Sequence, residues 1–177
     1  MKTIGGEHSL FFPVGRNNLF GYTSTLKSSA SLYRAGRDAL AAILKNAQPQ
    51  RIWLPNFVCE SVWRTAVATA SIEWYEVDCD LVIDISKFHS ELRSGDLVIL
   101  INILGSSIAP LAAALRNSPA ILVAYITYGL LDSEEIKSCL SNVDYMMASL
   151  RKRLLNLPGT KLLNNLFHLS PYFPIHF

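Results

Sequence analysis

Charge is scarce in this sequence: Asp, Glu, Lys and Arg make up 17% of its 177 residues and leave a formal net charge of +2. So small an excess, scattered instead of striped along one face, gives no electrostatic footprint for nucleic acid, and no nucleic-acid partner is expected. Cysteine is scarce too. Cys59, Cys79 and Cys139 are odd in number, widely spaced and without a CxxC pair, so they read as reduced, mostly buried thiols. The histidines, His8, His89, His168 and His176, lie far apart with no HExxH or paired spacing, and no metal site is expected. Neither GxGxxG nor a P-loop pattern occurs, which leaves dinucleotide and nucleoside-triphosphate sites unsupported. The start, Met1 to His8, breaks into glycine and charge before any apolar stretch of signal-peptide length, so a cytoplasmic location is the expectation.

Two long runs, Leu97 to Leu115 and Asn117 to Leu131, carry no ionised residue. Leu97 to Leu115 could span a bilayer by length alone. It also contains Asn102, the Gly105-Ser106-Ser107 break and Pro110, which divide it into a β-rich half and an alanine-rich, helix-favouring half. A buried strand followed by a short helix is expected there, and no membrane partner.

What the chain does have is apolar content, 50% of its residues. Such a fraction suits strands covered on both faces, hence an α/β fold in one domain. The periodicity supports this. Gly36–Lys45 reads as a helix opened by glycine and an early acid and closed by lysine. Arg51–Pro55 reads as a strand stopped by proline, Cys59–Thr69 as a helix and Ile72–Val77 as a strand. Ile85–Arg93 is expected to be helical, Leu97–Leu104 a buried strand, Leu111–Arg116 helical and Ala120–Thr127 a strand. Ser133–Leu140 has the pattern of a capped helix, and Asp144–Ser149 of a last strand. Alternation at this pace predicts a three-layer α/β/α sandwich with a mainly parallel sheet, whose ligands sit at the carboxyl ends of the strands. Residues 1–34 read as a loop-rich arm, 35–160 as the main domain, and 161–177 as an irregular tail.

The string Ala148-Ser149-Leu150-Arg151-Lys152-Arg153-Leu154 follows a predicted strand. By itself Arg151-Lys152-Arg153 is a solvated basic turn. Together with Gly5-Gly6-Glu7, Ala35-Gly36-Arg37-Asp38-Ala39-Leu40 and Leu54-Pro55-Asn56-Phe57-Val58-Cys59-Glu60, it resembles the DegT-like (sugar aminotransferase) branch of the fold-type I pyridoxal-phosphate-dependent aminotransferases. The resemblance runs from about Gly5 to Gly159 and implies the large domain of such an enzyme. It implies Lys152 as the Schiff-base lysine, Ser149 as a phosphate ligand, and the Gly36-Arg37 turn as a source of backbone donors to that phosphate. Cys59 and its neighbours from Asn56 to Glu60 would line the pocket, with Tyr125 and Thr127 beside the cofactor ring. The implied reaction is amino transfer to a sugar or small keto substrate, and the implied assembly a homodimer.

Two departures stand out. Where the family carries an acid within E-D-x-T-H, this chain has Ala124-Tyr125-Ile126-Thr127-Tyr128, with a neutral phenol in place of the carboxylate. The family also continues into a small domain, whereas this sequence ends soon after Pro158-Gly159, as a truncated relative would. A non-catalytic α/β binding module is therefore the alternative, with a membrane-associated protein a distant third. Ser149-x-x-Lys152 also fits the S-x-x-K of penicillin-binding proteins, but the S-D-N and K-T-G partners of that motif are absent.

Overall fold

A computed structural model describes residues 30–33, 35–126, 138–149 and 166–169. They form a seven-stranded sheet in the order β1-β7-β6-β5-β4-β2-β3. The strands are β1 (Ala30–Tyr33), β2 (Arg51–Pro55), β3 (Ser71–Tyr75), β4 (Asp96–Ile101), β5 (Ile121–Ile126), β6 (Tyr145–Ser149) and β7 (Leu166–Leu169). From β3 through β2, β4 and β5 to β6 all neighbours are parallel, while β7 runs antiparallel to both β6 and β1. It follows that β1 points the same way as β6.

Helices cover both faces. On one lie α1 (Gly36–Ala47) and α2 (Glu60–Val67), which pack together over Ile52, Leu54, Leu97, Ile99, Val123 and Met147. On the other lie α3 (Ile85–His89) and α4 (Ala109–Leu115), over Val98, Leu100, Leu122, Ala124 and Met146. Successive residues of β4 and β5 thus feed opposite clusters, which is why these strands read as unbroken apolar runs and not as alternating ones. The expected mainly parallel α/β/α sandwich is the observed one.

Local chemistry sets the boundaries. Proline ends β2 as expected. β4 stops at Ile101, three residues early, because Asn102 turns the chain into a 3₁₀ segment at Ile103–Gly105, where Gly105 takes φ +91°. The run Leu97–Leu115 is accordingly a strand, a turn and α4; among the described residues no helix is long and apolar enough to cross a membrane. Gly95, at φ +89°, makes the turn into β4 in a backbone conformation that side chains disfavour.

Two strands lie where the sequence signalled no regular element: β1 within the stretch taken as a loop-rich arm, and β7 within that taken as an irregular tail. Of the helix expected over Ser133–Leu140, only 138–140 fall among the described residues, and they are helical. The cysteines correct another expectation. Cys139 is buried, but Cys59 and Cys79 are exposed, because each stands on a loop beyond a strand end; none forms a disulfide.

At the amino-terminal rim, Asp96 is only 2% exposed yet charged, and its partners explain how. It accepts from Arg51 Nε at 2.8 Å, Arg51 Nη2 at 2.6 Å, Trp53 Nε1 at 3.1 Å and the Arg93 amide at 2.9 Å. Burial pushes this carboxyl up, but the bonds from Arg51, Arg93 and Trp53 more than offset it and hold it below the usual carboxylate range. The hub ties the starts of β2 and β4 at the rim away from the ligand end.

Candidate functional site

The site is assembled from the order of the strands. Because β1 runs with β6, its end at Tyr33 lies on the same rim as the end of β6. The register makes this concrete: Tyr33 pairs with Leu166, and Leu166 pairs with Ser149. Ser149 is therefore two strand spacings from Tyr33, about 10 Å. α1 starts at Gly36, three positions after Tyr33 ends β1, so its first turn lies at this rim.

The far end of α1 supports the same placement. α1 packs on β6, β1 and β7, and the Asn46 side-chain amide donates to Tyr145 Oη at the start of β6. From Asn46 back to Gly36 is about 15 Å of helix. From Tyr145 up to Ser149 is about 13 Å of strand. Both therefore finish at the same height.

At its start α1 has an alanine cap, Ala35, in extended conformation and with no side-chain cap bond. The Ala35 carbonyl accepts from Asp38 N at 3.0 Å and Ala39 N at 3.2 Å. An alanine offers the first-turn amides no side-chain acceptor, and a helix start of this kind favours an anion through its N–H groups and dipole. Asp38 works against this at third position, in an ion pair with Arg37 at 3.8 Å; both are well exposed.

α2 begins at this rim on the same face, after the loop that leaves β2. Cys59 is its N-terminal cap, exposed, with Sγ 3.3 Å from Ser61 Oγ. The loop before it is pinned: Asn56 N donates to Tyr75 O at 2.9 Å, and Asn56 Oδ1 accepts from Val77 N at 3.0 Å. Phe57 is held on that base at 64% exposure, the largest among the exposed large apolar side chains of the described residues, and offers a flat apolar face at the rim. Glu60 is committed to Arg64 at 2.6 Å.

Tyr125 is the penultimate residue of β5, paired with Ile101 and Met147 and packed into the cluster under α1 and α2. Beside it Asn102 is wholly buried, its backbone N–H donating to Tyr125 O at 3.2 Å.

Of the residues singled out from the sequence, Gly36, Arg37, Cys59 and Tyr125 thus share one rim and one face, with the Ser149 backbone on the same rim. Lys152 and Thr127 lie outside the described residues. Phe57, named only as part of the pocket-lining loop, and Asn102, read only as a break in a hydrophobic run, were not singled out. The signal for Asn102 was available, since a lone amide inside a fully apolar strand must sit where its hydrogen bonds are met. Among the described residues no group of acids, cysteines and histidines could hold a metal.

No family model matches the sequence, and no curated protein matches it. Solved structures do match the fold. YbdL from Escherichia coli, whose structure is described as identifying a methionine aminotransferase function, superposes with a TM-score of 0.59 at 14% identity, covering 82% of this chain and 43% of its own. A serine palmitoyltransferase from S. paucimobilis with a bound PLP-myriocin aldimine gives 0.62 at 14%, covering 84% and 41%. The histidinol-phosphate aminotransferase from Clostridium acetobutylicum gives 0.59 at 12%, covering 84% and 47%. At such identities the likeness establishes the fold, that of the large domain of these enzymes, and the chain spans less than half the length of each.

Proposed function

We propose that this chain binds pyridoxal phosphate at the carboxyl rim, its phosphate on the first turn of α1 and beside Ser149, within reach of Lys152. The lineage is that of DegT-like aminotransferases acting on a sugar or small keto substrate. The observation that carries the reading is the row Tyr33–Leu166–Ser149, which brings two stretches more than a hundred positions apart to one rim with an uncapped helix start between them. A fold shared with enzymes of this class, one of them holding PLP, supports it.

The residues present fit the anionic end of the group. First-turn amides would bind the phosphate, Phe57 would cover an aromatic ring, and the apolar floor of β4 and β5 would exclude water. When bound, pyridoxal phosphate supplies an electrophilic carbonyl carbon and a ring that takes up electrons. Lys152 would be the amine that anchors it and moves protons, a role open to a lysine whose pKa is lowered by desolvation.

The test is to incubate the purified chain with pyridoxal phosphate, reduce with borohydride and map the label by mass spectrometry. Labelling of Lys152, lost in Lys152→Ala, is the expected result; labelling spread over surface lysines alone would end the proposal. One observation favours a second reading, a module that binds the cofactor without turnover: among the described residues no carboxylate stands at the ends of β4, β5 or β6. Amino transfer assayed with a panel of keto donors separates the two readings.

A further inference from the structure

Among the described strands β3 is the last of the sheet and pairs only with β2. One bond tells which way its backbone faces: the Tyr75 carbonyl accepts from the Asn56 amide, on the β2 side, at 2.9 Å. By the alternation of a strand, Ser71 and Glu73 turn their backbone groups the same way, while Ile72 and Trp74 turn theirs outward. Beyond Tyr75 the outer side is already taken, since Val77 bridges Ile83 and the Asp78 amide donates to Val82 O at 3.1 Å. The open edge among the described residues is therefore Ser71–Tyr75, five residues with no proline, lysine or arginine to blunt it.

The flank beside this edge is apolar. Trp74 is 48% exposed and shares a face with Ile72, which packs on the cluster that holds Val62 and Ala66 of α2. On that helix Trp63 and Val67 each follow a buried residue by one position, about 100° further round. In a right-handed crossover from β2 to β3 this turn carries them to the β3 side, where they stay 38% and 49% exposed. The charges nearby are matched within the chain: Arg51 Nη1 lies 3.7 Å from Glu73, and Arg64 Nη2 2.6 Å from Glu60. A patch that is apolar and internally neutral can face its own copy without repulsion, whereas a strongly charged partner would meet no counter-charge.

We infer that β3 is a self-pairing edge: two copies of the chain join antiparallel through Ser71–Tyr75, around a two-fold axis at Glu73, into one continuous sheet. Of the registers that join outward groups, one keeps the whole open strand. Trp74 opposite the second copy's Trp74 would lay Ile72 against Glu76, where the chain's own 82–84 segment sits. Ile72 opposite Ile72 would set Trp74 against Ala70, outside the strand. Ile72 opposite Trp74 uses every outward N–H and C=O of both residues and sets an indole beside a β-branched side chain twice, a favourable cross-strand pair. Glu73 then faces Glu73 across the axis, which costs affinity, although each keeps its own Arg51 beside it. On the helix side, Trp63 and Val67 of the two copies approach each other. Trp63, Val67 and Trp74 expose on the order of 300 Å² per copy, and with the strand itself the contact totals about 1,000 Å², the low end for specific association. A reversible, weak dimer is therefore expected. The inference is independent of the cofactor reading, because α1 and β6, which carry that reading, lie towards the other end of the sheet.

Sedimentation velocity on the full chain, from about 1 to 100 μM, should show a monomer–dimer equilibrium. Trp74→Lys puts an ammonium on the edge and should weaken the dimer at least about tenfold, with unchanged circular dichroism because the side chain is half exposed. Glu73→Gln removes the opposed carboxylates and should tighten the dimer about threefold. Glu73→Cys sets one thiol of each copy in the closely spaced pair on the axis. Oxidised glutathione, which takes up the two electrons and two protons, should then give a disulfide that mass spectrometry maps from position 73 to position 73. A chain that stays monomeric throughout the range, or a dimer that Trp74→Lys leaves intact, would overturn the inference. So would open-ended polymers, the mark of a head-to-tail contact. A Trp74-dependent dimer in which Glu73→Cys forms no such cross-link would sink the axis assigned to Glu73.

Discussion

Asn46, in the last turn of α1, donates its side-chain amide to the phenolic oxygen of Tyr145, the first residue of β6. One contact between residues 99 positions apart fixes the foot of the helix to the foot of the strand. Given nearly equal rises, it also levels their upper ends, where Gly36 and Ser149 stand. Tyr145→Phe removes the acceptor while keeping the ring, and should cost about 1 kcal/mol of stability in urea unfolding. Affinity for pyridoxal phosphate should fall with it, because the first turn of α1 is no longer held in height against β6. A variant that loses stability but keeps full affinity would separate the pin from the site.

The charge at the helix start gives a sharper test of the phosphate cradle. Asp38 is exposed in the first turn of α1, where its carboxylate competes with any anion for the same amides. Asp38→Asn should therefore tighten binding of both inorganic phosphate and pyridoxal phosphate, by about two- to fivefold at low ionic strength and less at high salt. Isothermal titration at two salt concentrations reads the effect. Unchanged affinity in Asp38→Asn would argue that the phosphate sits elsewhere.

How much of this was legible in the sequence depends on where each residue finds its partners. β2 could be placed to the residue, because proline ends it from within the strand itself. The two-sided burial of β4 and β5 showed as unbroken apolar runs. β1 and β7 did not show. They are four residues each, and among the described strands β1 pairs only with β7, over 130 positions away, so what makes them strands is tertiary pairing and not local pattern. Asp96 was opaque for a related reason: an acid after a glycine looks like surface turn, and only the fold brings Arg51 and Trp53 around it. The rim of the site was half legible. The glycine-opened helix and the serine that ends a strand could be read, but their nearness follows from the reversed strand β7 between them, which the sequence did not announce.

The Asp96 hub makes a prediction about acid. Its carboxyl lies below the ordinary range in the folded chain, so its contribution is present above the unfolded value of about 3.9 and is lost as pH falls through the lower folded value. Asp96→Asn should cost about 3 kcal/mol, near the lower end for a broken buried pair because Arg51 keeps 22% exposure. The variant should also be flatter than wild type in stability between pH 5 and the acid limit. Parallel pH profiles for the two chains would contradict the assignment.

Tyr75 predicts the opposite limb. It ends β3, stacks on Phe88 with ring centroids 5.1 Å apart, and reaches over β2 to donate its hydroxyl to Ile99 O on β4 at 2.8 Å. Burial pushes this phenol far up, so the folded chain keeps the proton that the unfolded chain releases near pH 10. With more protons bound in the folded state, stability falls as pH rises above about 10. Tyr75→Phe removes both effects at once: it should cost about 1 kcal/mol at neutral pH and lessen the alkaline decline. In an alkaline spectrophotometric titration the wild-type chain should hold back the Tyr75 phenolate until it unfolds, and Tyr75→Phe should hold back one fewer. If all tyrosines of the folded wild type ionise together near pH 10, Tyr75 is not sealed beneath Phe88, and the β3 edge does not pack closed on α3.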